Sequence, residues 1–137
     1  MGSTRAAVGL ATILLGIAAC GAGGRTSICE AYDSLRTAVG AMDAARGAAT
    51  AGDGETLERR IDEVDRLVRA ARGSLSGADP EASTASAARV MLEAANYLGY
   101  MTGQYRSTGS VDFSLTQFAS RELSRAAAGA GGAPLNC

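Results

Sequence analysis

Histidine, lysine and tryptophan are absent from this 137-residue chain, which has only two prolines, two phenylalanines and four tyrosines. Without histidine there is no Ser-His-Asp or Cys-His nucleophile pair, no His-Glu-x-x-His zinc motif and no Glu-x-x-His di-iron signature of helical bundles. Without lysine there is neither a Schiff base nor a lysine general base. The cysteines, at 20, 29 and 137, lack the close spacing of zinc ligands. No metal site and no cofactor is therefore expected. Carboxylates do cluster, at Glu55, Glu58, Asp62, Glu63 and Asp65, but arginines alternate with them. That pattern reads as a salt-bridged solvated face and not as the acid–base pair of a glycosidase. No catalytic residue is expected, and the protein is not expected to be an enzyme. Thirteen arginines against fourteen acids give a net charge of −1. No basic stripe for nucleic acid is present.

The N-terminus is the most specific segment. Residues 1–5 carry one positive charge, at Arg5, and residues 6–19 carry none. That uncharged run is shorter than the roughly 20 residues a spanning helix needs, and reads as the apolar region of a signal peptide. It ends in Ile17-Ala18-Ala19-Cys20, followed by Gly21-Ala22-Gly23-Gly24. This segment resembles the lipobox of bacterial lipoproteins, over residues 1–24. The resemblance implies a diacylglyceryl thioether on Cys20, cleavage between Ala19 and Cys20, and acylation of the new amino terminus. Two or three palmitate-type chains would anchor the chain stably to the membrane, on its extracytoplasmic face, where one chain holds only marginally. The alternative is an ordinary secretory leader cleaved after Ala18 or Ala19. Arginine as the sole basic residue, with abundant Ala and Gly, resembles the products of high-GC genomes such as those of actinobacteria.

Lipidation of Cys20 leaves Cys29 and Cys137 as an even pair, and in an oxidising compartment such a pair is expected to form a disulfide. Closing so long a loop is worth about 4–5 kcal/mol in the chain-entropy account. Loss of residues 1–19 removes Arg5, so the mature chain has 12 basic and 14 acidic side chains, a net charge of −2. The expected divisions are a signal peptide at 1–19, a lipidated flexible tether at 20–26 and a helical domain at 27–137.

Four amphipathic segments follow. Ser27 and Glu30 have the spacing of a capping box. Ile28, Tyr32, Leu35, Val39, Met42 and Ala49 then make an alternating four-three seam, interrupted by Arg46. Gly52 and Asp53 end that helix and cap the next. Leu57, Ile61, Val64, Val68, Ala71 and Leu75 form a second seam, with acid-first i,i+4 pairs Glu55–Arg59, Asp62–Arg66 and Asp65–Arg69 on its outer face. A break at 73–78 precedes Asp79-Pro80-Glu81, a cap followed by proline at the first helical position. Ala87, Met91, Ala94, Leu98, Met101 and Tyr105 are the third seam. Asp112 caps a fourth, shorter helix with Leu115, Phe118, Ala119, Leu123 and Ala126. The expected fold is all-α, an up-down-up-down antiparallel four-helix bundle, with Cys29 and Cys137 at the same pole.

The third helix carries the least ordinary local sequence. Ala95, Gly99 and Gly103 form a small-x-x-x-small ridge, and Tyr97, Tyr100 and Tyr105 lie beside it. Two glycines inside a helix cost about 1 kcal/mol each relative to alanine. Two readings stay open. One is close packing on Gly40, Ala44 and Ala48 of the first helix. The other is a groove for a small apolar ligand or a partner helix, with tyrosines supplying polar tips. An anchor at Cys20 would turn the pole with Arg25, Arg69, Arg72 and Arg125 toward anionic lipid, with Asp53, Glu55, Glu58 and Asp112 at the far pole. The expected function is a lipid-anchored interaction or accessory module of the cell envelope with an unknown envelope partner; a carrier of a small apolar ligand is the alternative.

Overall fold

A computed structural model describes residues 22–79 and 82–137, with side chains described from Ser27 onward. The signal peptide, Cys20, the Arg25 side chain and the Pro80-Glu81 start signal lie outside the described residues. Four helices, α1 (Ala22–Ala51), α2 (Gly54–Ser76), α3 (Ala85–Thr108) and α4 (Thr116–Ala127), are joined by short connections, with a 3-10 turn at Phe113–Leu115 leading into α4. They form a four-helix bundle. α1 packs most extensively on α2 and α3 on α4; α1 and α3 touch across one diagonal, whereas α2 and α4 do not meet.

α1 starts earlier than the sequence suggests. Its backbone is helical from Ala22, so residues 22–26 belong to the helix and Ser27 lies inside it rather than capping it. No proline stands in that segment, and a helix already nucleated downstream propagates cheaply through it. Its buried seam is also displaced. Ile28, Leu35 and Met42 are buried as the periodicity predicts, but the intervening positions are Ala31, Ala38 and Ala45, one residue before Tyr32, Val39 and Arg46. Tyr32 and Val39 flank the core half-buried, and Ala49 is exposed. Small residues at the contact let helix axes approach closely. The apparent interruption at Arg46 is thereby removed.

The α1–α2 connection is fixed by backbone hydrogen bonds. Asp53 N donates to Ala48 O at 2.9 Å and Gly52 N to Ala49 O at 3.2 Å. This is the Schellman pairing, and it needs the left-handed residue supplied by Gly52, φ +72°. The Asp53 carboxylate then accepts from Thr56 N at 3.0 Å, capping α2. α2 buries Ile61, Val64, Val68, Ala71 and Leu75 as predicted. It continues through Gly73 to Ser76, so the expected break begins later, at Gly77.

α3 begins at Ala85 after Thr84, beyond the expected start at Pro80. Residues 82–84 form a turn against which the C-terminal tail packs: a Cβ placed on Gly132 would lie 2.9 Å from Ser83 O. The seam residues Ala87, Met91, Ala94, Leu98 and Met101 are buried, and Tyr105 is half-buried. Asp112 caps the 3-10 turn instead of α4 itself, its carboxylate accepting from Ser114 N at 3.0 Å and Ser114 Oγ at 2.6 Å. Ala119, Leu123 and Ala126 are buried in α4.

A second Schellman pairing ends this region, with Ala130 N on Arg125 O and Gly129 N on Ala126 O, both at 2.9 Å. Leu135 N returns to Ala127 O at 3.1 Å. The tail is thus folded back, and Cys137 is joined to Cys29, with Cα atoms 5.4 Å apart. The antiparallel register of the middle helices is visible in two contacts. Arg72 meets Asn96 while Asp62 meets Arg106, so ten residues back along α2 correspond to ten forward along α3.

Candidate functional site

The arginine-rich outer face of α2 does not pair within itself as expected. None of the three predicted i,i+4 pairs closes among the described residues. Instead Arg106 of α3 reaches across, donating to Asp62 Oδ1 at 2.7 Å and to Asp65 Oδ2 at 2.6 and 2.9 Å. Arg60 pairs with Glu63, and Arg59 donates to the Thr56 hydroxyl. A forked guanidinium holding two carboxylates is a stronger arrangement than an exposed i,i+4 pair worth a few tenths of a kcal/mol. Burial works to raise the Asp65 carboxyl, but the Thr102 hydroxyl, Arg106 and Arg69 outweigh it and hold its pKa below the usual value. Asp62 first, and then Asp65, push Arg106 further into its charged range. Both carboxylates are thus held by one guanidinium.

The glycine ridge of α3 resolves into three different environments. Ala95 is buried in the core. Gly99 lies beneath Arg72 of α2, whose Nη2 would be 3.1 Å from an added Cβ. That same nitrogen donates to Asn96 Oδ1 at 3.1 Å and to Ala95 O at 3.5 Å. Gly103 is exposed, with nothing near where a Cβ would stand. The expected packing on Gly40, Ala44 and Ala48 does not occur: Gly40 and Ala44 are exposed, and only Ala48 is buried. The reason is rotational. α3 turns Met91, Ala94, Leu98 and Met101 inward, which leaves Gly103 outside and directs Gly99 toward α2.

Tyr97 lies on the side of α3 that faces α4, whereas Tyr105 stands against the α1–α2 connection. Tyr97 stacks on Phe118 with ring centroids 5.7 Å apart and planes at 25°. The Arg121 guanidinium sits 5.4 Å from the Phe118 ring centre, a cation–π arrangement. Beside this stack opens a recess of about 530 Å³ lined by Glu93, Asn96, Tyr97, Tyr100 and Leu115. Tyr100 is 62% exposed and Leu92, two turns earlier, is 39% exposed. So of the five residues read from the sequence as a groove, Tyr97 and Tyr100 line one, whereas Ala95, Gly99 and Gly103 do not. The missed members are Glu93, Asn96 and Leu115, together with the Phe118–Arg121 support. The signal for Leu115 and Phe118 was the irregular fourth stripe, in which both are only half-buried; nothing in the sequence pattern marked Glu93.

Arg72 and Arg125, expected to face anionic lipid, are engaged within the bundle, by Asn96 and by Glu122. Among the described residues no three His, Cys, Asp or Glu side chains converge as metal ligands, and no helix is long and apolar enough to cross a membrane. Comparison with protein-family profiles, with characterised proteins and with solved structures finds no match to this chain.

Proposed function

We propose that this protein is a lipid-anchored, non-enzymatic interaction module of a bacterial cell envelope, held to the membrane through Cys20 and presenting the α3–α4 face of its bundle to another envelope component. The observation that carries the reading is the Tyr97–Tyr100–Leu115 recess with Tyr100 and Leu92 left in solvent beside it. Exposed tyrosine on a rigid helix provides large amphipathic contact area at little cost in side-chain entropy, as binding surfaces require. The Cys29–Cys137 bond is in keeping with an oxidising compartment outside the cytoplasm. α1 starts at the same pole as that bond, so an anchor at Cys20 would bring this pole toward the membrane and leave the length of α3 accessible.

A second reading, carriage of a small apolar ligand, draws on the recess volume, which falls within the range of small-molecule sites. The exposure of Tyr100 favours the first reading, because ligand sites enclose most of their occupant.

Two measurements test the proposal. Intact mass of the protein from a membrane fraction should give a chain starting at Cys20 with added acyl mass, and two thiols that alkylate only after reduction. A photo-crosslinking side chain at position 100, in cells, should then yield a discrete protein adduct. An unacylated chain would remove the anchor. A lipid or metabolite that co-purifies and is lost on Tyr97→Ala, with no adduct, would favour the carrier.

A further inference from the structure

Leu92, Asn96 and Tyr100 are spaced by four residues along α3, a line about 12 Å long at the helical rise per residue. Glu93 stands beside that line and lines the recess with Tyr97 and Tyr100. It is exposed, and among the described residues it makes no hydrogen bond or ion pair. On α2, Asp62 and Asp65 are held by Arg106, and on α4, Glu122 is held by Arg125. Three arginines on α3 or in contact with α3 or its aromatic stack make other contacts. Arg89 donates to Ser86, Arg72 to Asn96, and Arg121 lies over Phe118. An aromatic recess thus carries one carboxylate that forms no ion pair among the described residues.

We propose that this face docks a helical segment of a partner protein that presents apolar side chains together with an arginine or lysine. The cation meets Glu93, and its alkyl stem lies against the faces of Tyr97 and Tyr100, where a cation–π contribution adds to the ion pair. Apolar neighbours one turn away enter beside Leu115 and along Leu92, the helix-in-groove mode of recognition. The inference rests on the interaction-module reading and specifies the chemistry of its partner.

The test uses the whole mature chain carrying Cys20→Ser, disulfide intact and isotopically labelled for NMR. The probes are two synthetic amphipathic helical peptides with the same leucine face, one with arginine and one with glutamate on the polar face. The arginine peptide should shift the resonances of Tyr97, Tyr100 and Leu115. Glu93→Gln should weaken it about 3–10-fold, as loss of a partly exposed ion pair does. Asp33→Asn, a remote exposed acid on α1, should leave affinity unchanged, and Tyr100→Ala should weaken binding at least as much as Glu93→Gln. Equal binding of the glutamate peptide, insensitivity to Glu93→Gln, or shifts elsewhere on the bundle would overturn the proposal. In cells, an adduct from position 100 that persists undiminished with Glu93→Gln overturns the cationic partner while the interaction module stands. Absence of any adduct from a correctly anchored chain overturns both.

Discussion

Arg106 of α3 and Asp65 of α2 are joined side chain to side chain at 2.6 Å, and Asp62 shares the same guanidinium at 2.7 Å. This clamp fixes the register of two adjacent antiparallel helices near the end of the bundle away from the disulfide.

Its first consequence is a pH dependence. Burial works to raise the Asp65 pKa, but the Thr102 hydroxyl, Arg106 and Arg69 outweigh it and hold it below the ordinary carboxylate value in the folded protein. A lowered carboxylate pKa stabilises the fold above the unfolded value, and that stabilisation is lost as pH falls through the folded value. Thermal melts should therefore show Tm falling as pH drops below about 4. Asp65→Asn should lower Tm at pH 7 by a few degrees and flatten that acid limb. An acid limb as steep in the variant as in the parent would exclude Asp65 as its source.

The disulfide joins residues 108 apart in sequence. Constraint of the unfolded chain over such a loop is worth about 4–5 kcal/mol. Cys29→Ser with Cys137→Ser, or reduction of the parent, should lower Tm by about 15 °C or more. Helical circular dichroism at low temperature should remain, since the tail contributes little of the core. Calorimetry under oxidising and reducing conditions checks both statements.

The α1 seam can be tested by adding volume. Ala38 is fully buried and Ala44, six residues on, is exposed. Ala38→Leu should overpack the bundle and cost about 1–3 kcal/mol, whereas Ala44→Leu should be nearly neutral. Urea denaturation distinguishes them. If the seam instead ran through Val39 and Arg46, Ala38→Leu would be the tolerated change.

Two glycines should respond with opposite signs. Gly103 lies inside α3 with open space where a Cβ would stand, so Gly103→Ala should stabilise by about 0.5–1 kcal/mol. Gly52 is left-handed at φ +72° in the α1–α2 connection, so Gly52→Ala should destabilise by about 1 kcal/mol. Chemical denaturation of both variants beside the parent gives the comparison.

The number of helices, most of the buried seam of α2 and α3 and the pairing of Cys29 with Cys137 are legible in the sequence, whereas the burial of Ala88, Val90 and Thr102 and the half-burial of Leu57 and Tyr105 are not. Each legible feature rests on a local or covalent rule: the helical repeat of large apolar residues, the cap at Asp53, the turn glycine at Gly52, and two cysteines brought to one pole by antiparallel order. What the tertiary structure decided are matters of competition between neighbours. Whether Ala31, Ala38 and Ala45 or their larger neighbours form the α1 seam depends on how near α2 approaches. Whether Asp62 and Asp65 pair along α2 or with Arg106 depends on the helix register. The candidate site divides in the same way. Tyr97 and Tyr100 stand out in the sequence because tyrosine is scarce here, but the rotation of α3 in the bundle separates them from Gly99 and Gly103 and places Glu93 and Leu115 with them instead. A helical repeat fixes which residues share a face. Only packing against the other helices fixes which way that face points.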